Sequence, residues 1–190
     1  MGDSDPVVDA VAASDPAVDA VAAAIGEGLL GVDTDRAGTS VMVVDRGSLL
    51  EACRLLRDGD EKFAHLSSVW GMDYSAIGQE PRFAVVYYLY SPSSRRRIAL
   101  KVPVEEGDPV VPSVVEIWPG ANFHEREAFD MFGIRFEGHP NLTRILLPED
   151  ADFFPLRKDF PIGEEPIEFT HNLKPSGGIR GNGHSEVSRN

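Results

Sequence analysis

The stretch from Arg82 to Tyr90 limits the fold of this chain more tightly than any other, because it is apolar on both of its alternating faces. Phe83, Val85, Tyr87 and Leu89 line one side, and Ala84, Val86, Tyr88 and Tyr90 the other. A strand of that kind must be covered on both faces, which places it centrally in a sheet. Its neighbour, Arg97 to Val104, alternates cleanly, with Ile98, Leu100, Val102 and Val104 inward and Arg97, Ala99 and Lys101 outward. Between them Ser91-Pro92-Ser93-Ser94 reads as a hairpin turn. Val41 to Asp45, Phe63 to Trp70, and Val114 to Trp118 just before Pro119-Gly120 are further strand candidates. The expected fold class is α+β: a mostly antiparallel sheet with flanking helices, followed by an extended Pro/Gly-rich C-terminal arm.

Helices are expected in three places. Ser4 to Ala13 and Ser14 to Ala23 are near-copies of one ten-residue unit. A ten-residue shift does not return to the same helix face, so the copy builds no continuous apolar stripe. The second copy makes the better helix. Asp15 caps it, Pro16 suits its first position, Val18, Val21, Ile25 and Leu29 share a face, and Gly26, Gly28 and Gly31 stop it. Ser48 and Glu51 have capping-box spacing, opening a helix with Leu49, Cys53 and Leu56 on one face and Gly59 at its end. Cys53 is then a small, inert core residue. A third helix runs from about Asn122 to Phe132.

Composition narrows the function classes. The 190 residues suffice for one ordinary domain, and a net charge of −13 argues against a free-standing nucleic-acid binder. One cysteine excludes an internal disulfide framework and any multi-cysteine cluster. No run approaches the ~20 apolar residues of a membrane span. The first twenty residues carry five aspartates and lack the basic start of a secretory signal. The only basic run is Arg95-Arg96-Arg97. It reads either as a solvated strand end, the preferred reading, or as a docking patch for an acidic partner.

After Gly133 the character changes. The 58 residues from Gly133 to Asn190 hold six prolines and seven glycines, with Ile134 to Phe136 and Thr143 to Leu147 the only segments long enough for a regular element. Spaced aromatics at Phe153, Phe154, Phe160 and Phe169 are what a wrapping arm carries. The expected organisation is a loose N-terminus over 1–14, an α/β domain over 15–133, a docking arm over 134–172 and a disordered tail over 173–190.

The densest charged stretch is His124-Glu125-Arg126-Glu127-Ala128-Phe129-Asp130. A helical zinc motif fails here, since Ala128 stands where the second histidine belongs. A site built from His124, Glu127, Asp130 and His139 has no recognised spacing. On a helical wheel Glu125 falls between Phe129 and Phe132, while Arg126, Glu127 and Asp130 group opposite, with Arg126 and Asp130 spaced to pair. A carboxylate on an aromatic face needs a partner, so Glu125 is expected to accept from Arg135, Arg144, Arg157 or Lys158, with Arg144 first. A general acid of raised pKa is the functional alternative. His139, before Pro140, reads as a hydrogen-bonded structural histidine. Gly26, Gly28 and Gly31 mimic a dinucleotide loop but follow a helix rather than a strand.

The run from Ile117 to Pro161 resembles the signature of the 30-kDa subunit (the C subunit in bacteria) of proton-translocating NADH:quinone oxidoreductase, respiratory complex I. Glu125, Arg126, Glu127, Asp130, Met131, Phe132, Gly133, Ile134, Phe136, His139 and Pro140 meet the pattern. Arg144, Ile145 and Leu146 continue it, and Pro155 to Pro161, including Arg157 and Lys158, closes it. The resemblance implies a cofactor-free hydrophilic subunit of the peripheral arm, on the cytoplasmic side of the inner membrane. FMN, iron–sulfur clusters and quinone would belong to partner subunits, and this chain would pack on those carrying the quinone pocket and the terminal cluster. The signature residues would be architectural, not catalytic. Related subunits occur in membrane-bound hydrogenases, in F420H2- or ferredoxin-linked quinone oxidoreductases and in the plastid-type complex, so an equivalent subunit there is one alternative. A stand-alone hydrolase on His124, Glu127 and Asp130 is the other.

Overall fold

The computed structural model describes residues 15–161. The readings of 1–14, of 162–172 and of the tail after Leu173 lie outside the described residues. Three helices and seven strands are described: α1 (Pro16–Ile25), β1 (Leu29–Thr34), β2 (Ser40–Val44), α2 (Leu49–Asp58), β3 (His65–Asp73), β4 (Phe83–Ser91), β5 (Arg96–Val104), β6 (Val110–Pro112), α3 (Ala121–Phe132) and β7 (Arg135–Glu137).

Five strands form one sheet in the order β1-β2-β5-β4-β3, and β6 pairs with β7 in a separate parallel ladder. Within the large sheet only β2 and β5 run parallel; the other three ladders are antiparallel. The doubly apolar strand is β4, an interior strand zipped to β5 from Phe83 opposite Val104 to Ser91 opposite Arg96. One sheet face carries the core. Phe83, Val85, Tyr87, Leu89, Ile98, Leu100 and Val102 pack there against buried residues of α1, α2 and α3. Val41, Val86 and Ala99, with half-buried Tyr88, form a small cluster on the opposite face that contains no helix residue. Both faces of β4 are therefore removed from water, but the described helices cover only one of them.

The local signals mostly act as expected. The Asp15 carboxylate accepts from Ala17 N at 3.1 Å and caps α1. Leu49, Ala52 and Cys53 of α2 have no exposed surface, and the N–H of Gly59 closes the helix on the Leu55 carbonyl. Burial and then the nearby Glu125 charge push the Cys53 thiol far up, which leaves it an unreactive core residue.

Four local expectations are corrected. Leu29 does not continue α1: a 3-10 turn over Gly26–Gly28 redirects the chain, and Leu29 opens β1. That strand lies at the sheet edge and is largely exposed, so it carries no clean alternation to read. The Ser48–Glu51 capping box does not form. Ser48 has helical backbone and makes no side-chain cap, while Asp45 accepts from Gly47 N at 2.7 Å and starts a 3-10 turn that feeds α2. Val114 to Trp118 is a turn, not a strand. Its buried residues, Val114, Ile117 and Trp118, are spaced as on a helical turn, and Ile117 N and Trp118 N both return to the Val114 carbonyl. Thr143 to Leu147 forms no regular element, because the amides of Ile145, Leu146 and Leu147 bond to a side chain rather than to a strand.

The described chain through Phe160 forms one compact unit. The boundary expected at residue 133 falls inside it, between α3 and β7, where Ile134 and Phe136 are buried in the core.

Candidate functional site

Helix α3 carries most of the chemistry-bearing residues. It ends at Gly133, whose φ of +76° is the left-handed conformation glycine adopts without strain. The same position is sterically closed: a Cβ there would lie 2.7 Å from Arg157 Nη2 and from the Phe154 ring. The sharp exit aims the following chain back along the helix.

Glu125 has no exposed surface, as its place between Phe129 and Phe132 requires. Among the described residues no cation meets it, and the expected pairing with Arg144 is overturned. Instead Ser113 Oγ donates to one carboxylate oxygen at 2.6 Å and Val114 N to the other at 2.7 Å. Two neutral donors do not offset the loss of water. Burial therefore raises the carboxyl to about 7 against the pull of both hydrogen bonds. The same carboxylate, after burial, helps lift the Tyr87 phenol well above its ordinary value. Glu125 ties α3 to the turn following β6, and with no exposed surface it offers a substrate no access.

Asp130 takes the place expected of Glu125. It also has no exposed surface, and Arg144 Nη1 donates to its Oδ1 at 2.8 Å. Its Oδ2 accepts from Ile145 N, Leu146 N and Leu147 N at 3.0, 2.7 and 2.9 Å. Burial alone would raise this carboxyl; the Leu147 amide, the Arg144 guanidinium and the other two amides reverse that and hold it at about 2. Helical spacing groups Asp130 with Arg126 on the open side. Arg126 does not pair with it, donating instead to the Thr143 carbonyl, the Thr143 hydroxyl and the Arg144 carbonyl. Spacing within one helix takes no account of the returning chain, which buries Asp130 on that side while Glu127 stays exposed.

The other signature residues serve the same return path. Arg157 Nε donates to the Phe132 carbonyl at 2.7 Å, and its guanidinium lies over Phe154 and Phe83 at 4.6 and 5.2 Å. His139 Nδ1 accepts from Asn141 N at 3.0 Å, and its Nε2 lies 3.2 Å from the Asn122 carbonyl, which assigns the Nε2–H tautomer and a structural role. Pro140 follows it exposed, as Glu127 is on α3. Lys158 acts through its backbone, its N–H donating to Asp73 Oδ2 at 2.9 Å.

A second hub has no signal in the sequence. Arg82, nearly buried at the head of β4, holds Asp73 of β3, Glu106 beyond β5 and Asp159 of the returning chain at 2.9, 2.5 and 2.9 Å. Burial works against the Asp73 charge, but Arg82 and the Lys158 and Ser75 amides keep its carboxyl well below the usual range. These four residues come from separate parts of the chain, and no local spacing links them.

This arrangement pins chain to chain. His124, Glu127 and Asp130 do not assemble as a hydrolase triad, since the Asp130 carboxylate is occupied by Arg144 and three amides. Among the described residues no three His, Cys, Asp or Glu side chains group to hold a metal ion, and no helix is long and apolar enough to cross a membrane.

The chain is similar to proteins of known assignment. Residues 42–166 match the family described as respiratory-chain NADH dehydrogenase, 30 Kd subunit. The C subunit of NADH-quinone oxidoreductase from Roseiflexus castenholzii is 52% identical over 151 residues, which span 79% of this chain and 85% of that protein. A solved trypsin-resistant fragment (1–134) of Nqo5 superimposes with a TM-score of 0.58 at 34% identity, covering 66% of this chain and 96% of the fragment. A chain in the membrane-bound sulfane sulfur reductase, an archaeal respiratory membrane complex, shares the fold, with a TM-score of 0.63 at 19% identity over 76% of this chain and 84% of its own. The signature residues that build the α3 junction lie within the matched segment, and on that extent of similarity the chain belongs to the family of the 30-kDa subunit of respiratory-chain NADH dehydrogenase, the C subunit of NADH-quinone oxidoreductase.

Proposed function

We propose that this chain is a cofactor-free structural subunit of the peripheral arm of proton-translocating NADH:quinone oxidoreductase, helping to assemble the module that passes electrons from NADH to quinone. The family match carries the reading. The chemistry of the junction supports it: Arg126, Asp130, Arg144 and Arg157 are all engaged in holding this chain's own backbone or each other. Groups so occupied set shape, and Glu125, Gly133, His139, Pro140 and Lys158 belong to the same framework. FMN, iron–sulfur clusters and the quinone site then reside in partner subunits, and the partners in contact are those that carry the quinone pocket and the terminal cluster. The place of action is the cytoplasmic side of the inner membrane, at its periphery.

The test is affinity purification of the tagged full chain from detergent-solubilised membranes. Co-purification of flavin- and cluster-bearing subunits with NADH:quinone activity supports the reading. A tightly held chromophore in the isolated chain, or stoichiometric zinc with hydrolase activity, overturns it.

A further inference from the structure

We propose that the apolar groove between α1 and α2 is the seat of the chain's own first repeat unit, Ser4 to Ala13, packed there through Val7, Val8 and Val11. The inference is independent of the functional reading above.

The groove is a gap left open in the helix layer. Its walls are Pro16 and Ala20 of α1 and Leu55 of α2, and its floor is Val21, Leu56 and Phe63. It encloses about 220 Å³, several times the ~30 Å³ share of one water, so it is no ordinary packing void. The floor residues are buried, whereas Leu55 stands 37% exposed on the wall. The groove therefore presents aliphatic surface beside the core with its covering contact still to be made.

Sequence and attachment identify the occupant. The second copy, Ser14 to Ala23, supplies most of α1, and Ala17, Val18 and Val21 are the buried residues of that helix. The first copy holds Val7, Val8 and Val11 at the equivalent positions. On a helix these three fall within about 100° of arc, with Asp9 on the opposite side. The face that packs α1 onto α2 is thus written twice in the chain, and the groove beside α1 offers it a second place. The first copy is also tethered at the groove itself. Asp15 has an extended backbone, φ −96° and ψ 110°, which breaks the helix between the copies, and the next two residues, Pro16 and Ala17, line the groove. Ser14 and Asp15 are long enough a connection to join two antiparallel helices. A segment held so close outcompetes a separate chain of equal affinity through its effective concentration. The looseness expected of 1–14 describes the unit alone: an isolated helix this short is marginal in water and gains its stability by packing an amphipathic face. Charge does not make the choice. Asp60 and Glu61 stand at the rim, Glu61 is engaged by Arg96, and Asp9 lies on the side of the helix away from the groove.

The experiment uses the tagged full chain, purified alone and with its complex. Leu55→Cys is combined with Val8→Cys in one chain and with Asp9→Cys in another; the native Cys53 is buried and does not compete. Under mild oxidation the chain with Val8→Cys is expected to close an intramolecular disulfide about tenfold faster than the chain with Asp9→Cys, because only the inward position brings the two Cα atoms within bridging distance. Adding Val11→Asp to the faster chain is expected to remove the difference. With no engineered thiol, amide exchange over residues 7–13 should be slower by about tenfold in the wild type than in a Val11→Asp chain. Equal closure rates, disulfide-linked dimers, or equal exchange with and without Val11→Asp overturn the proposal. A photo-crosslinking amino acid at Leu55 that captures another subunit in the purified complex overturns it as well, since a partner then holds the groove.

Discussion

Two buried carboxylates on one helix behave in opposite ways, and the donors around each residue explain why. Glu125 meets a hydroxyl and one amide, whereas Asp130 meets a guanidinium and three amides. The folded chain holds a proton on Glu125 more tightly than its ordinary value of 4.5 allows. The stability it contributes is therefore complete below about pH 4.5 and is lost as pH rises through about 7. Glu125→Gln keeps an acceptor for Val114 N and a donor for Ser113 Oγ without the charge. Urea titrations from about pH 4.5 to about 8 should show the wild type losing roughly 3 kcal/mol relative to this variant, at about 1.36 kcal/mol per pKa unit. Parallel curves would refute a protonated Glu125. For Asp130 the sign is reversed: its contribution is present above its ordinary value of 3.8 and falls away as pH drops through about 2. Asp130→Ala strands Arg144 and three amides, and should cost about 3–5 kcal/mol in the same assay at about pH 7.

Among the elements, the packing of α3 on β3 depends on a missing side chain. A Cβ at Gly71 would sit 2.6 Å from Phe132 Cδ2, so the helix rests its aromatic ring on bare strand backbone. Gly71→Ala should destabilise the fold by about 1–3 kcal/mol through overpacking. Adding Phe132→Leu should recover part of that loss, and strictly additive effects in denaturant titrations would rule out direct contact as the cause. Elements whose periodicity is strong and whose burial is one-sided are legible in the sequence, as with α2 and β5. Edge strand β1 and the turn at Val114 to Trp118 are not, because exposure in one and non-alternating burial in the other erase the period-two pattern.

Across the molecule as a whole, the first residues beyond α3 are part of the core. Truncation after Gly133 removes buried Ile134 and Phe136, strand β7, and the guanidinium and amides that hold the Asp130 carboxylate. Circular dichroism should then show no cooperative melt; a cooperative melt in the shorter chain would contradict this account. Local chemistry along the chain is enough to specify an α+β fold, an interior two-faced strand, an inert Cys53 and a buried Glu125. Each of these follows from periodicity and side-chain character within a few residues. The choice of partners is fixed only by how the chain crosses itself in space. Arg144 reaches Asp130 and not Glu125, and Arg82 gathers Asp73, Glu106 and Asp159, because the turn at Gly133 returns the chain over a helix face that spacing alone assigns to solvent. Partnership of this kind depends on where distant segments meet, which no interval along the chain encodes.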